Sequence, residues 1–454
     1  MPHGRLSLEQ LRIAVAEGDI DTVLLAFTDM QGRLQGKRLH ARHFLDEVVE
    51  HGSEACDYLL AVDVEMNPVE GYAMSSWSRG YGDTRLTCDF STLRRVPWHR
   101  GTAMALADLA WSDGAPVVAS PRQILREQLR RLAEAGYTGH AGTELEFVVF
   151  RDSYEQAAER GYRDLTPANL YNGDYSLLAT ARVEPLLRRI RLSMAGAGLA
   201  PESAKGECNL GQHEIVFRYA EALRAADQHV IYKNGAKEIA AQEGVSITFM
   251  AKPNEREGSS CHIHFSLRSV DGDRSVVAGD GPGRTSQVMA HAMAGLLATM
   301  PELTLLYAPN INSYKRYQAG SFAPTAVRWG TDNRTCALRL VGHGESMRVE
   351  NRVPGADVNP YLAIAGMVAG VLHGLEHQLP LEEECAGNAY LDLGAPHLPT
   401  TLRDALARWE ASAVAVAAFG QEVVDHYANS ARVELVAFDA AVTDWELRRG
   451  FERL

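Results

Sequence analysis

The chain has 454 residues, of which 46% are hydrophobic and 23% are charged, and its formal net charge is −13 at pH 7. This composition is typical of a soluble globular protein with a large core, long enough for two or three domains. The acidic balance argues against general nucleic-acid binding, and an acidic surface tolerates a cationic substrate.

The N-terminal part of the chain is predicted to form a small unit that contains β-strands. Strand signals lie at Thr22–Phe27 and around Leu59–Val64, and the stretch Val96–Arg100, with its Pro, Trp and His, is expected to close the unit. The first residues lack the apolar stretch of a secretory signal, and no apolar run approaches the roughly 20 residues that span a bilayer. The cysteines are far apart and form no Cys-x-x-Cys pair, which indicates reduced thiols. We therefore expect a cytoplasmic protein without a membrane segment.

From Ser120 onward, helices and strands alternate along the chain. Pro121–Ala135 is predicted to be a helix, because Ser120 is a suitable N-cap, proline stands at the first helical position and Gly136 follows the end. The result is an α+β chain with a small N-terminal domain and a large C-terminal one. We place these domains at residues 1–110 and 111–454.

The segment Thr143–Phe150, TELEFVVF, is typical of a β-strand. Because side chains alternate between the two faces of a strand, Glu144 and Glu146 are expected to lie side by side at one end of an apolar face. Neighbouring carboxylates on a buried face need cations to offset their repulsion. The alternative is a strand end that reaches water.

Two further strands carry polar residues in the same alternating way. In Cys261–Leu267, CHIHFSL, one face holds His262, His264 and Ser266, and a His-x-His strand directs two imidazoles to one metal or anionic site. In Arg348–Val353, RVENRV, one face holds Arg348, Glu350 and Arg352. Two hydrogen-bonded histidines and a solvated edge strand are the respective alternatives.

A predicted turn at Gly211 separates two more carboxylates. In Lys205–Phe217, KGECNLGQHEIVF, Glu207 and Glu214 flank this turn, and their spacing can bring both side chains to one site from either side of a loop.

Together these segments supply five carboxylates, one imidazole and no thiolate. The predicted metal ligands are Glu144, Glu146, Glu207, Glu214, His262 and Glu350. Sets dominated by oxygen suit Mg²⁺ or Mn²⁺ better than a structural zinc. Several arginines suit polyphosphate and carboxylate recognition: Arg316, Arg334, Arg339, Arg348 and Arg352. Several metals combined with several arginines indicate phosphoryl transfer from a nucleotide.

The chain resembles the glutamine synthetase family over essentially its full length, and is closest to its γ-glutamylamide synthetase branch. Six motifs occur in the family's order: GTELEF at Gly142–Phe147, ECNLGQHE at Glu207–Glu214, KP…GSSCHIHFS at Lys252–Ser266, NSYKR at Asn312–Arg316, NRTCALR at Asn333–Arg339 and RVENRVPGADVNPYL at Arg348–Leu362. The resemblance implies an N-terminal β-grasp domain and a catalytic domain with a curved antiparallel sheet flanked by helices. It also implies hexameric rings, usually stacked as a dodecamer, with active sites between subunits.

The resemblance implies a role for each matching residue. Glu146, Glu207 and Glu214 resemble the ligands of a metal beside the glutamate substrate, and Glu144, His262 and Glu350 those of a metal on the ATP phosphates, with two or three ions per site. Glutamate binding is implied for Glu146, Gly258, His262, Arg316 and Arg352. Nucleotide binding is implied for His264, Ser266, Arg334, Arg339 and Arg348, and a catalytic role for Arg334 and Arg316. The implied reaction forms γ-glutamyl phosphate from glutamate and ATP, and an amine then displaces phosphate.

The sequence departs from ammonia-using members in the amine pocket. Phe322 stands where a glutamate that helps to deprotonate ammonium is expected, and phenylalanine accepts no proton. The Asp-Gly-Ser-Ser of those members is also absent; Asn67–Trp77 stands there, with Glu70 as a substitute carboxylate. We therefore expect an organic amine as acceptor, with a polyamine such as putrescine first and ethanolamine or another short amine second. An ordinary glutamine synthetase and a non-catalytic relative are the alternatives.

Two smaller departures carry no assignment. Glu257 replaces the asparagine that the family has in the loop before the histidines. Tyr390 lies near the position of an adenylylated tyrosine in some bacterial relatives, but its surroundings, GNAYLDLGAP, differ, and we predict no such regulation.

Overall fold

Five strands of the N-terminal part form a mixed sheet in the order β2-β1-β5-β4-β3 in the computed structural model, which describes residues 4–271 and 274–454. The strands are β1 Thr22–Thr28, β2 Leu34–His40, β3 Ser53–Cys56, β4 Asp83–Arg95 and β5 Thr102–Ala110. The central strands β1 and β5 are parallel, and the other pairings are antiparallel. Both central strands are almost continuously apolar and buried, as expected for strands that are covered on both faces.

Nine strands of the larger part form a second sheet, which carries most of the predicted site. They are β6 Tyr137–Phe150, β7 Pro201–Gly206, β8 Gln212–Phe217, β9 Ala220–Glu221, β10 Ser246–Thr248, β11 Cys261–Ser269, β12 Trp329–Thr331, β13 Leu338–Val341 and β14 Arg348–Asn351. Their order is β12-β13-β14-β11-β6-β8-β7, with β9 and β10 also paired to β6. Among the described strands of this second sheet, only β12 and β13 pair in parallel. The predicted strands of this part are confirmed.

Helices flank the sheets. They are α1 Leu8–Ala16, α2 Ala41–His43, α3 Val49–His51, α4 Pro121–Glu134, α5 Tyr154–Glu159, α6 Leu177–Ala181, α7 Glu184–Gly196, α8 Ala222–Gln242, α9 Gln287–Tyr307, α10 Pro360–Glu376, α11 Leu402–Glu410, α12 Ala413–Phe419, α13 Gln421–Ala440 and α14 Asp444–Gly450. The short helical turns are a π turn at Phe44–Val48 and 3₁₀ turns at Asp57–Leu60, Trp77–Arg79, Pro282–Arg284, Ile311–Arg316, Gly344–Ser346 and Ala389–Leu391.

Helices α9 and α10 pack closely because glycines face each other across their contact. A Cβ atom on Gly295 would lie 2.1 Å from the carbonyl oxygen of Gly370 and 2.4 Å from the backbone nitrogen of Gly374. By length and composition α9 could cross a membrane, but 67% of its apolar window is buried. Its packing against α10 is that of a core helix.

Two local predictions for the N-terminal part are wrong. The segment around Leu59–Val64 is not a strand: a 3₁₀ turn occupies Asp57–Leu60, and the strand β3 precedes it. The carboxylate of Asp57 accepts hydrogen bonds from Ser75 Oγ (2.6 Å) and from the backbone nitrogen of Gly82 (3.1 Å), which fixes the turn. Val96–Arg100 does not close the unit, because it connects β4 to the central strand β5.

The other predictions for the first 150 residues agree with the structure. The strand at Thr22–Phe27 is β1, and the helix predicted after Ser120 is α4, which ends with Ala135 as C-cap. The strands of the first sheet lie between residues 22 and 110 and those of the second between 137 and 351. The division into domains at 1–110 and 111–454 stays a prediction.

One buried arginine joins the first sheet to helices α4 and α8. Arg122, at the start of α4, donates to Asp89 on β4 (2.7 Å), to Asp108 on β5 (2.6 Å) and to Asp227 on α8 (2.9 Å). Tyr361 Oη also donates to Asp227, at 2.6 Å. A buried cation with several carboxylate partners is strongly destabilising to remove, because the carboxylates are left without compensation.

We expect Arg122→Ala to lower the free energy of unfolding by about 3–5 kcal/mol, because it leaves Asp227 buried and unpaired. Thermal denaturation of the purified protein measures the effect as a fall in Tm. The control is Arg130→Ala on the same helix, whose pairs with Glu127 and Glu134 are exposed. This control should change Tm little, and equal shifts for both variants would contradict the assignment.

Candidate active site

Strand pairing places the predicted ligands next to one another on the second sheet. The register sets three pairs opposite each other: Glu146 and Glu214 across β6 and β8, Glu144 and His262 across β6 and β11, and His264 and Glu350 across β11 and β14. Residues directly opposite each other in antiparallel strands have neighbouring side chains. The four sequence segments therefore meet in one place.

The first group consists of three carboxylates. Glu146, Glu207 and Glu214 each offer an oxygen within 4.8 Å of the others. Glu146 and Glu214 are almost completely buried, while Glu207 keeps some exposure. Glu146 Oε2 accepts hydrogen bonds from the Ser260 backbone nitrogen (2.7 Å) and from Gln212 Nε2 (2.9 Å).

These carboxylates are poorly compensated in the protein alone. Burial, together with the neighbouring charge of Glu207, raises the pKa of Glu146 to about 8. Burial and three nearby carboxylates raise the pKa of Glu214 well above its ordinary value. Burial also raises the pKa of Glu207. Raised pKa values of several neighbouring carboxylates indicate a site that binds either protons or cations.

The second group combines two carboxylates with two imidazoles. His262 Nδ1 lies 3.3 Å from Glu350 Oε1 and 3.5 Å from Glu144 Oε2, and His264 Nε2 lies 2.9 Å from Glu144 Oε1. Burial favours the protonated form of Glu144, but hydrogen bonds from His262 and His264 outweigh it and lower the pKa of Glu144. Burial and the nearby Arg352 lower the pKa of His262 to about 4, so this imidazole is neutral.

The two histidines differ in the nitrogen that is available to a metal. Arg348 Nε donates to His264 Nδ1 at 3.1 Å, so the proton of His264 is on Nε2, which points to Glu144. His262 Nε2 is buried and without a hydrogen-bond partner in the described structure. Ligand atoms of Glu144, His264 and Glu350 lie within 4.8 Å of one another, so His264 is a candidate ligand as well, and the role of His262 as a ligand stays a prediction.

Both groups fit divalent metal ions. Two ligands of one octahedral ion, each about 2.1 Å from it, lie roughly 3 Å apart. Atoms of Glu144, His264 and Glu350 that can bind a metal lie within 4.8 Å of one another, as do those of Glu146, Glu207 and Glu214. Carboxylate oxygens and neutral imidazole are the donors that Mg²⁺ and Mn²⁺ accept. Glu146, Glu207 and Glu214 would hold one ion, and Glu144, His262 and Glu350 another.

Besides Arg348, which contacts His264, three of the predicted arginines lie in this region. Arg339 Nη1 donates to Glu350 Oε2 at 2.9 Å, and Arg352 Nη1 donates to Glu350 Oε1. Arg316 is buried and donates to the Val353 carbonyl oxygen (2.9 Å) and to Ser260 Oγ (2.8 Å). Arg334 is different: it is exposed between β12 and β13 and makes no side-chain hydrogen bond in the described part of the chain.

A cavity of about 490 Å³ opens beside the second group. Three residues that were predicted to bind the nucleotide line it, namely His264, Ser266 and Arg348. Glu144 lines it as well, so the cavity is continuous with the metal ligands. The other two predicted nucleotide ligands, Arg334 and Arg339, are not among its lining residues.

Gly258 lies where any larger residue would collide with the site. A Cβ atom there would lie 2.6 Å from Arg316 Cγ and 2.6 Å from the Ala251 carbonyl oxygen. The loop backbone therefore packs directly on Arg316, and the role of Gly258 in glutamate binding stays a prediction.

Two residues of the site were missed in the sequence. Gln212 Nε2 contacts Glu146, the Gly258 carbonyl oxygen (2.9 Å) and Ser259 Oγ (3.2 Å), so it ties a metal ligand to the glycine loop. Lys205 donates to Glu207. Alternation along the strands could have indicated Gln212, which shares a face with Glu214. Nothing in the sequence around Lys205 pointed to its position.

The predicted amine pocket is only partly assembled in a single chain. Phe322 is 56% exposed and has a positive φ of 59°, and its carbonyl oxygen accepts from Arg352 Nη2 at 3.3 Å. Glu70 is exposed in the N-terminal part, and its carbonyl oxygen accepts from Asn429 Nδ2 at 2.9 Å. No hydrogen bond or ion pair joins Glu70 to the segment around Phe322 among the residues that the structure describes.

Comparisons with known proteins agree with this geometry. A family model described as glutamine synthetase, catalytic domain, matches residues 118–450. The chain is 68% identical over 449 residues to the γ-glutamylethanolamide synthetase GlnA4 of Streptomyces coelicolor, covering 99% of this chain and 96% of the relative. It is 37% identical to a glutamate–isopropylamine ligase of a Pseudomonas species, with 97% of each chain covered.

A solved structure of GmaS in complex with ADP has the same fold. Its TM-score is 0.84 at 28% sequence identity, and the match covers 97% of this chain and 99% of that one. The predicted α+β class with flanking helices is confirmed, and among the described residues each sheet contains one parallel pair among otherwise antiparallel strands.

The raised carboxylate pKa values predict that metal ions stabilise the protein more at higher pH. In the metal-free fold, protonation of Glu146 contributes stability that is lost as pH rises from its ordinary pKa near 4.3 to about 8. A cation replaces that proton, so the rise in Tm on adding Mg²⁺ or Mn²⁺ should be larger near pH 8.5 than near pH 6.5. Thermal denaturation at both pH values tests this. Glu146→Gln, which cannot titrate, should reduce the difference, and a rise independent of pH in the wild type would contradict the prediction.

Replacing His262 and replacing His264 should have different effects on turnover. His262→Ala should raise the Mg²⁺ or Mn²⁺ concentration for half-maximal ATP turnover on the order of 10-fold or more, because it removes a ligand. His264→Ala should mainly raise the KM for ATP, because this residue lines the cavity. Metal and ATP titrations of both variants measure the effects. The opposite pattern would exchange the two roles.

Proposed function

The chain belongs to the glutamine synthetase family, and from this premise we propose that it joins the γ-carboxylate of glutamate to ethanolamine. It is a ligase, as predicted, and enzymes of this family form an amide between glutamate and an amine with the use of ATP and divalent metal ions. The choice of ethanolamine rests on one observation above the others, the 68% identity to a γ-glutamylethanolamide synthetase over nearly the whole chain.

The reaction that we propose has two steps. An oxygen of the glutamate γ-carboxylate attacks the γ-phosphorus of ATP, which gives γ-glutamyl phosphate and ADP. The uncharged amine then attacks the γ-carbonyl carbon, the C–O bond to phosphate breaks, and the amine nitrogen loses a proton. Bound divalent ions supply positive charge to the phosphate and carboxylate oxygens.

The chain's own residues position and balance these groups. We propose that Arg316 and Arg352 hold the carboxylates of glutamate, and that His264, Ser266 and Arg348, which line the cavity, hold the nucleotide. On the same side of the site, Arg339 donates a hydrogen bond to Glu350. The role of Arg334 as a catalytic group needs movement toward the cavity, because its side chain is exposed.

The acceptor is proposed to be a small organic amine and not ammonium. Phe322 replaces the expected glutamate with an apolar ring, and its backbone is tied to Arg352. An aromatic ring contacts the methylene groups and the ammonium group of an amine, whereas it accepts no proton. The expected preference for a polyamine is not supported by the relatives, whose names favour ethanolamine or another short amine.

We also propose the assembly and location that the family resemblance implies. Hexameric rings, stacked as a dodecamer in the cytoplasm, would place Glu70 of one subunit at the amine pocket of the next. Large apolar side chains that are exposed in the single chain, such as Leu177, Leu393 and Phe451, agree with burial in subunit contacts. The choice between Mg²⁺ and Mn²⁺ belongs to the same set of proposals.

An acceptor panel tests the proposed function directly. We expect purified protein with ATP, glutamate and Mg²⁺ to release phosphate fastest with ethanolamine, and mass spectrometry to find the γ-glutamylethanolamide. Ammonium, putrescine and isopropylamine are the comparison acceptors. Faster turnover with ammonium would show an ordinary glutamine synthetase, and no turnover with any amine would show a non-catalytic relative.

Phe322→Glu tests the part of the pocket that the sequence singled out. We expect kcat/KM for ethanolamine to fall on the order of 10-fold relative to that for ammonium, because a carboxylate replaces the apolar ring. Phe322→Tyr is the matched control and should keep the preference. An unchanged ratio in Phe322→Glu would mean that this side chain does not contact the acceptor.

A further inference from the structure

A lysine ammonium group lies at the edge of the first carboxylate group. Lys205 Nζ donates to Glu207, lies 3.7 Å from Asp174 Oδ1 and is 4.5 Å from the centre of the Tyr175 ring. Two carboxylates and an aromatic face are the chemistry that binds an ammonium group. The chain fills this ammonium-binding position with its own side chain.

The position is fixed by close backbone contact. Lys205 on β7 lies opposite Glu214 on β8. The next residue, Gly206, touches the loop that carries Asp174 and Tyr175: a Cβ on Gly206 would lie 2.3 Å from the Gly173 carbonyl oxygen. Because no larger residue fits between strand and loop, the carboxylate and the ring are held beside the lysine.

The same edge is the side from which solvent reaches the carboxylates. Glu146 and Glu214 are 7% and 5% exposed. The side chains of Glu207 and Lys205 are 14% and 26% exposed, and Tyr175 is 71% exposed. In the proposed reaction the γ-carbonyl carbon of glutamate lies beside these carboxylates, and we infer that the acceptor reaches it from solvent past Lys205.

We propose that Lys205 is a specificity-determining residue that selects acceptors without a second positive charge. Its fixed ammonium group repels the distal ammonium of a diamine or polyamine and competes with an ammonium ion for Glu207 and Asp174. A monoamine with a neutral polar end, such as ethanolamine, avoids this repulsion. The inference rests on the proposed ligase reaction.

A third group of possible metal ligands is consistent with this role. Asp174, Glu207 and Cys208 offer atoms within 4.8 Å of one another, but Lys205 already supplies a positive charge to both carboxylates. In this group the ammonium of Lys205 therefore supplies positive charge to two of the three candidate ligands.

The test compares Lys205→Met, which removes the charge at similar length, with Lys205→Arg, which keeps it. We measure kcat/KM for putrescine and for ethanolamine at saturating ATP and glutamate. Lys205→Met should raise the putrescine-to-ethanolamine ratio about 10-fold or more, equivalent to about 1.4 kcal/mol, and Lys205→Arg should leave the ratio within about twofold. An unchanged ratio in Lys205→Met, or an equal rise in both variants, would overturn the proposal.

A second variant removes a negative charge beside Lys205, whereas Lys205→Met removes the positive charge. Asp174→Asn leaves Lys205 less compensated, so it should lower the putrescine-to-ethanolamine ratio. Because Asp174 is exposed, this variant tests the proposal even if Lys205→Met fails to fold. A higher ratio, or none of the expected fall, counts against it.

Two controls keep the failure of this proposal separate from the failure of the proposed function. Ethanolamine turnover by the wild type tests the reaction itself, whatever Lys205 does. Hydroxylamine is uncharged at neutral pH, so its rate relative to ethanolamine should not rise in Lys205→Met as the putrescine rate does. Glu207 is both a partner of Lys205 and a predicted metal ligand. The Mg²⁺ concentration for half-maximal turnover, measured in each variant, therefore shows whether a substitution acts only through metal binding at Glu207.

Discussion

Repulsion among buried carboxylates is the constraint on which the site depends. Five of them come together on one face of the second sheet, and the arginines nearby reach mainly Glu350. Glu146 and Glu214 are left with raised pKa values because burial and like charge act in the same direction. Such a face is stable only with protons or cations on it. Divalent cations, on which the family depends, meet that requirement.

The sequence was informative about the site wherever side chains alternate between the two faces of a strand. Alternation along TELEFVVF and CHIHFSL was enough to place Glu144, Glu146, His262 and His264, since the faces of a strand are fixed locally. It could not give the register between strands, which sets Glu146 opposite Glu214. The apolar run around Leu59–Val64 was misassigned because burial in an irregular turn and burial in a strand look alike in sequence.

Other parts of the site arise only from long-range contact. The proton position on His264 depends on Arg348, a residue 84 positions away. The surroundings of Lys205 depend on a loop that starts some thirty residues earlier and packs against Gly206. Five of the six predicted metal ligands lie on strands, the exception being Glu207, whereas the features that concern the acceptor, Phe322 and the Lys205 edge, involve loops. This division explains why the first half of the reaction was easier to predict than the choice of amine.

The contacts of Gln212 affect how Glu146 can exchange a hydrogen bond for a metal ion. Its amide nitrogen carries two hydrogens but has three acceptors within reach, on Glu146, Gly258 and Ser259. When Glu146 turns its oxygen toward a cation, both hydrogens still have an acceptor. The donor is never left unsatisfied, so the exchange avoids the penalty of a buried, broken hydrogen bond. The surplus acceptor lets a rigid sheet face take up and release an ion without rearranging the backbone around it.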